Sequence, residues 1–127
     1  MVEKCVCQVV PVLLRPDPVS PNTACFGVVL KCDAVGYQGF KLAQDDEQTI
    51  SRIVGFFPKY GRANFLQAMK WAATDIAYAF EKEKERPGAF ANLIRPRENV
   101  VRYGSVRVSL ATDPEAELVR QYADCVT

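Results

Sequence analysis

Two β-branched runs near the start of the chain read KCVCQVVPVLL at residues 4–14 and TACFGVVLKC at residues 23–32. Runs of this composition are typical of strands, and Pro11 inside the first run predicts an edge position or a bulge. The segment between them holds three prolines among turn-forming polar residues, which predicts a loop. Because a short loop joins neighbouring strands directly, we expect the two strands to pair antiparallel.

After this hairpin, the sequence predicts a weaker strand at residues 37–42 and then two helices. Asp45 is expected to cap the first helix, with Gln48 reciprocating, and Pro58 ends it. The second helix follows Gly61, with its cap near Asn64, and ends before residues 87–88, which are Pro and Gly. Its apolar positions recur at helical spacing and form one stripe: Phe65, Met69, Ala72, Ile76 and Phe80.

The last third of the chain predicts one more strand and one more helix. Residues 87–98 receive no assignment, although their apolar side chains indicate that part of the segment packs. A strand is expected at residues 100–110, where regular pairing places Arg102 and Arg107 on opposite faces and a bulge at Gly104 would reunite them. A helix follows, opened by Asp113 and Pro114. We therefore predict a single α+β domain over residues 1–127, with a mainly antiparallel sheet of about four strands packed against helices, in the order β-β-β-α-α-β-α.

The composition of the chain limits the classes of function that we expect for it. The chain has 127 residues, 49% of them apolar, and 16 basic side chains against 15 acidic ones, so no overall charge attracts nucleic acid or anionic lipid. The start of the chain lacks the pattern of a secretion signal, and no apolar run is long enough to cross a bilayer. We expect a cytoplasmic protein without a membrane partner. Five cysteines are an odd number for a disulfide framework, so reduced thiols are expected.

Several common catalytic and cofactor arrangements are missing. Without any histidine, the chain cannot form a Ser-His-Asp or Cys-His arrangement within one subunit. It also has neither a Walker loop nor GxGxxG, and no CxxC pairs for a four-thiolate zinc site. We interpret Cys5 and Cys7 as core residues, and the acidic residues 45–47 as a helix start. No catalytic residue, metal ligand or cofactor is therefore assigned.

One group of residues suggests binding. The sequence places Arg95, Arg97, Arg102 and Arg107 close together, with Tyr103 available for stacking. Guanidinium groups bind phosphate or carboxylate through two parallel hydrogen bonds, so an anion or acidic partner is expected here. The alternative is a set of ordinary surface arginines at a strand entrance, partly neutralised by Glu98.

A second candidate surface lies on the long helix. Trp71 and Tyr78 are seven residues apart and lie off the apolar stripe. They are interpreted as a contact patch for a partner or a homodimer, or else as evidence that the helix is buried on two sides within its own domain.

The C-terminal third also carries a family resemblance. It combines Leu93-Ile94-Arg95-Pro96-Arg97, the strand at 100–110 and Asp113-Pro114-Glu115-Ala116, while the N-terminal half has its proline-bearing loop and Gly27-Val28-Val29-Leu30 in the same order. This pattern resembles the bacterial DUF3037 family over essentially the whole chain. Members of that family usually carry E-x-x-N-x-G-V, whereas Asn22 and Cys25 stand at the corresponding positions here. If those polar residues form a shared site, this chain has lost it, which leaves Arg97 as the best-matched candidate.

The resemblance implies no established activity. Genes of the family often neighbour genes for HipA-like kinases, which implies a partner protein in a bacterial operon or mobile element. The leading hypothesis is a non-enzymatic protein-interaction module. The alternatives are binding of nucleic acid or a phosphorylated ligand at the arginines, and an enzyme that uses carboxylates or a cysteine.

Overall fold

In a computed structural model that describes residues 3–95 and 99–126, one antiparallel sheet carries helices on both faces. Its strands are β1 (Cys5–Leu14), β2 (Ala24–Cys32), β3 (Tyr37–Leu42), β4 (Val101–Tyr103) and β5 (Arg107–Ala111). The strand order is β3-β2-β1-β4, and β5 also pairs with β1. The helices are α1 (Glu47–Phe56), α2 (Arg62–Glu85), α3 (Ala89–Leu93) and α4 (Pro114–Val126), with short 3-10 turns at Asp33–Val35 and Ala43–Asp45. The predicted α+β single domain is confirmed.

The strand predicted at 100–110 is divided in two by Pro11. β4 pairs with residues 12–14 of β1, and β5 pairs with residues 5–9. Pro11 has no N–H to offer between them, and its carbonyl accepts the N–H of Gly104 at 2.9 Å. A Cβ on Gly104 would lie 2.5 Å from Cγ of Pro11, so only glycine permits this approach. Of the two positions predicted for Pro11, the edge is wrong, because β1 has neighbours on both sides, whereas the register of β1 against β2 does shift close to Pro11, between Val12 and Leu13.

The strand β2 is buried on both faces. On one face the ring of Phe26 meets that of Phe65 of α2 edge-on, with centroids 5.5 Å apart. On the other face α4 packs, and Cys25 forms a disulfide with Cys125. Residues 26–30 are all buried, which explains why this strand is a continuous apolar run rather than an alternating one.

Two helix starts differ from their predicted positions by one to three residues. The cap of α1 is Asp46 and not Asp45, because Asp45 ends the preceding 3-10 turn. Thr49 donates its N–H to Oδ1 of Asp46 at 3.2 Å and its hydroxyl to Oδ2 at 2.6 Å. The helix α2 begins at Arg62 directly after Gly61, whose φ of 83° suits glycine, while Asn64 donates its side-chain amide to the carbonyl of Tyr60.

The apolar stripe predicted for α2 is confirmed, since its five residues are all buried. The unassigned segment contains the short helix α3, whose Phe90 is buried and stacks on Phe80 with centroids 5.8 Å apart. Glu83 fixes this turn by accepting the N–H groups of Gly88 and Phe90. Within the described residues, no helix is long and apolar enough to cross a membrane.

The expectation that all five thiols are reduced is wrong. Cys25 and Cys125 form a disulfide across a sequence separation of 100 residues, with their Cα atoms 6.0 Å apart. Cys5, Cys7 and Cys32 are free thiols. Cys7 and Cys32 are fully buried in the core, in agreement with the interpretation of Cys7 as a core residue.

Candidate functional site

A cavity of about 590 Å³ lies between α2 and β4. Its α2 wall includes Ala68 and Ala72, small residues that lie between the bulkier Phe65 and Ile76 on the buried side of the helix. The small side chains leave room that a larger residue would fill. Aromatic and aliphatic residues complete most of the remaining wall: Tyr60, Trp71, Leu93, Val100, Val101 and Tyr103.

The structure brings together four of the seven predicted site residues. Arg95, Arg102, Tyr103 and Trp71 all line the cavity. Arg95 follows α3 and is exposed, whereas Arg102 lies on β4 and donates Nε–H to the carbonyl of Asn99 at 3.0 Å. Neither guanidinium forms an ion pair with any carboxylate in residues 3–95 and 99–126. Both cations are therefore placed to pair with an anionic group of a ligand.

Of the remaining three predicted residues, Arg107 and Tyr78 do not line the cavity. Arg97 lies outside the described residues. Arg107 lies opposite Val9 and reaches towards Oε1 of Gln121 on α4 at 3.5 Å. Arg102 lies opposite Leu13, so the register gives the two arginines the same parity along β1. Arg102 nevertheless lines the cavity beside α2 while Arg107 extends towards α4, so the break after β4 does not bring the two side chains together. Their partners on β1 are four positions apart, about 13 Å along the strand.

Trp71 and Tyr78 are 63% and 65% exposed, which contradicts the alternative that α2 is buried on a second side. Only Trp71 lines the cavity. Tyr78 lies two turns further along, with Nζ of Lys82 5.6 Å from its ring centroid. The two aromatic residues are thus equally exposed but differ in their relation to the cavity.

Three polar lining residues were missed by the sequence analysis. Asp75 lies one turn after Trp71 on α2, and this spacing places both residues on one helix face. The spacing can be read from the sequence, so Asp75 could have been predicted to lie beside Trp71. Tyr60 lies in the connection between α1 and α2, and burial raises the pKa of its hydroxyl, which stays protonated as a hydrogen-bond donor. Asn99 orients Arg102. Nothing in the sequence marked the last two.

The carboxylates with lowered pKa values lie elsewhere and are held in structural contacts. Glu117 is buried, and its pKa falls to about 2 because Arg120, Ser109 and Gln121 all donate hydrogen bonds to it. Hydrogen bonds from Thr49 and Tyr122 likewise lower the pKa of Asp46. Neither residue lines the cavity. The bond from Ser109 to Glu117 joins β5 to α4, and the bond from Tyr122 to Asp46 joins α4 to the start of α1, while the other bonds lie within one helix and its cap.

The free thiols are not exposed nucleophiles, because Cys7 and Cys32 are buried in the core and Cys5 is partly buried against it. Burial, followed by the neighbouring thiol of Cys32, raises the pKa of Cys7 to about 11. Desolvation raises the pKa of Cys5 in the same direction. A protonated thiol is a poor nucleophile and a poor metal ligand at neutral pH. Among the residues that the structure describes, no three His, Cys, Asp or Glu side chains are grouped to hold a metal ion.

The fold and this cavity define a small α+β protein with a concave site lined by aromatic residues and two arginines. The chain belongs to the DUF3037 family of proteins of unknown function, whose model matches residues 10–126. No curated protein and no solved structure matches the chain. The family resemblance seen in the sequence is thereby confirmed. Of the two positions that depart from the family pattern, Cys25 is the disulfide residue and Asn22 is exposed in the loop after β1, and neither lines the cavity.

Proposed function

We propose that this protein is a non-enzymatic interaction module that binds a segment of another protein in the cavity between α2 and β4. The observation that supports it is the meeting, at one concave site, of an apolar, aromatic wall and two arginines that form no ion pair with any carboxylate of the described residues. A segment with an apolar side chain next to a carboxylate matches both features, because the side chain fills the space over Ala68 and the carboxylate pairs with Arg95 or Arg102.

The size of the site suits such a segment. A volume near 590 Å³ lies within the range of roughly 300–1,000 Å³ that is common for ligand pockets. A hydrogen bond to a charged group contributes about 1.5–3 kcal/mol, so a carboxylate held by either arginine would contribute a substantial part of a micromolar affinity.

The family resemblance suggests which partner to test first. A HipA-like kinase from a bacterial host, present in the same cytoplasm, is the proposed partner. Binding of the purified kinase would be measured by isothermal titration calorimetry. The double variant Arg95→Gln, Arg102→Gln is expected to weaken binding by about 30-fold or more. Arg86→Gln is the matched control, because Arg86 is an exposed arginine that does not line the cavity. Equal affinities of wild type and double variant would refute this site, and no binding of the kinase by the wild type would refute this partner.

A second candidate function is binding of single-stranded nucleic acid or a phosphorylated ligand. The observation that favours it is the presence of Trp71 and Tyr103 beside the two arginines, since bases stack on aromatic rings while phosphates pair with guanidinium groups. Asp75 in the same cavity disfavours a polyanion, which is why the protein segment ranks first. Affinity for an oligonucleotide, measured from about 50 to 200 mM salt, should fall with a logarithmic slope near −1.4 if two phosphates are neutralised. A slope near zero would reject this candidate.

A further inference from the structure

The strand β5 is an open edge of the sheet. It pairs with residues 5–9 of β1 on one side, and no second strand within the described part of the chain pairs with its other side. An unpaired edge presents N–H and C=O groups that can pair with another strand. Only Arg107 is charged among its five residues, so the edge has little of the charge that blocks such pairing.

The contacts of β1 show which groups of β5 point outward. Pro11 turns its carbonyl to Gly104, on the β4 and β5 side. Successive residues of a strand direct their backbone groups to opposite edges, so Val9, Cys7 and Cys5 also face β5. Their partners Arg107, Ser109 and Ala111 bond inward. The N–H and C=O groups of Val108 and Leu110 therefore point away from the sheet.

The same two residues carry exposed apolar side chains. Val108 is 70% exposed and Leu110 is 59% exposed, and Val6, which lies opposite Leu110, is 55% exposed. These three side chains share one face of the sheet. Solvent-exposed apolar residues on an open edge favour association with another strand.

We infer that β5 pairs antiparallel with β5 of a second copy of this chain, with Val108 opposite Leu110 of the second copy. A two-fold axis at Ser109 pairs all five strand residues and aligns the outward N–H and C=O groups of Val108 with those of Leu110. Arg107 is the first residue of β5, and Asp113 lies two residues beyond its last residue, Ala111, where one of its side-chain oxygens caps α4. The two-fold axis places each Arg107 opposite Ala111 of the second copy and next to the segment that carries Asp113, so the charges at the two ends of the paired strands are complementary.

A second copy of this chain is the expected partner, because the pairing of β5 with itself is complementary in hydrogen bonds, apolar contacts and charge. A five-residue edge buries less than the roughly 1,200 Å² of a standard interface, so we expect a weak dimer with a Kd on the order of 100 µM. None of these residues lines the cavity, so the inference does not depend on the proposed function.

Sedimentation equilibrium from about 10 µM to 1 mM tests the inference. The wild type is expected to approach twice the 14.2 kDa mass of one chain as concentration rises. Val108→Pro removes an outward N–H without removing a bond to β1, so it should fold and yet weaken the dimer by 10-fold or more. Val108→Thr, which keeps the N–H and the β-branch, is the matched control and should weaken it by less than about 3-fold. A wild type that stays monomeric, or a Val108→Pro protein that dimerises as well as wild type, would overturn the inference.

Hydrogen exchange on the wild type gives a measurement that needs no variant. The amides of Val108 and Leu110 should become protected as the concentration rises, while that of Arg107, bonded to β1, should not change. Concentration-dependent protection elsewhere, with Val108 and Leu110 unprotected, would show another interface and refute β5 pairing.

Discussion

The face of the sheet under α4 and the cavity beside α2 differ in whether their charged groups have partners within the fold. Under α4, Glu117 accepts hydrogen bonds from three side chains, and Asp46 at the start of α1 accepts one from the hydroxyl of Tyr122 at 2.8 Å. The disulfide adds a covalent link to the same helix. In the cavity, by contrast, Arg95 and Arg102 have no ion-pair partner among the described residues.

This difference separates stability from binding. Charges that already have several partners hold elements together and have little left to offer a ligand. Charges that remain hydrated at a concave surface can exchange water for a ligand at small cost to the fold. Variants under α4 should therefore change the free energy of unfolding, whereas variants in the cavity should change affinity.

The largest change in the free energy of unfolding is expected when the disulfide is removed. The double variant Cys25→Ser, Cys125→Ser should lower the free energy of unfolding by about 3–5 kcal/mol, because the bond closes a loop of about 100 residues that the unfolded chain otherwise explores. Urea unfolding of the oxidised proteins measures it. Thiol titration of the denatured wild type provides the control: three thiols are expected without reductant, matching the three free cysteines. Five reactive thiols would contradict the bond.

The next effect is expected at Glu117. Glu117→Ala removes a buried carboxylate and leaves Ser109 and Gln121 without their acceptor, which should lower the free energy of unfolding by about 3 kcal/mol. Urea unfolding at pH 7 is again the measurement. Glu115→Ala is the matched control, since Glu115 is an exposed glutamate in the first turn of the same helix and should cost about 0.5 kcal/mol or less. Equal losses of unfolding free energy in the two variants would mean that the hydrogen bonds of Glu117 contribute no more to stability than an exposed glutamate does.

The carboxyl group of Glu117 also makes the free energy of unfolding depend on pH, which is a smaller effect. Hydrogen bonds from Arg120, Ser109 and Gln121 lower the pKa of Glu117 from 4.5 to about 2 in the folded chain. The unfolded chain therefore takes up the proton first as pH falls, so this contribution is complete above pH 4.5 and is lost towards pH 2. The slope should not exceed about 1.4 kcal/mol per pH unit.

The comparison of wild type with Glu117→Gln isolates this contribution. The difference between their free energies of unfolding should be on the order of 2 kcal/mol at pH 7 and should shrink to a small residue near pH 2. A difference that does not change with pH would show that the folded carboxyl titrates at its ordinary pKa.

Local patterns predicted most of these elements. The stripe of α2 follows from spacing alone, because apolar residues every three to four positions can only share a face if the chain is helical. Asp45 and Asp46 are chemically equivalent caps, and the 3-10 turn that excludes Asp45 could not be deduced from them. To predict the division of the strand at Gly104, one would have to know that Pro11 lies beside it. To predict the disulfide, one would have to know where α4 packs on β2. Both depend on contacts between distant residues.

The site follows the same rule. Arg95, Arg102 and Tyr103 are close in sequence, so their grouping was predicted, whereas the packing of α2 against β4 is what adds Trp71 and Asp75. Arg107 was grouped with them by sequence proximity, but the gap opposite Pro11 moves its position along β1 and its side chain extends towards α4. Proximity along the chain therefore predicted the part of the site that lies within one connection, and tertiary packing determined the rest.

The smallest effect on stability, together with a large effect on binding, is expected for Trp71. Trp71→Ala should change the free energy of unfolding by about 0.5 kcal/mol or less, because 63% of the residue is exposed. It should nevertheless weaken binding of the partner in calorimetry by about 30-fold, since an aromatic residue at a binding surface often contributes about 2 kcal/mol. Tyr78→Ala is the matched control on the same helix, equally exposed but outside the cavity, and should weaken binding by less than about 3-fold. If both variants lose the same affinity, the exposed face of α2 rather than the cavity contacts the partner, and the contrast between the two regions no longer locates the binding site.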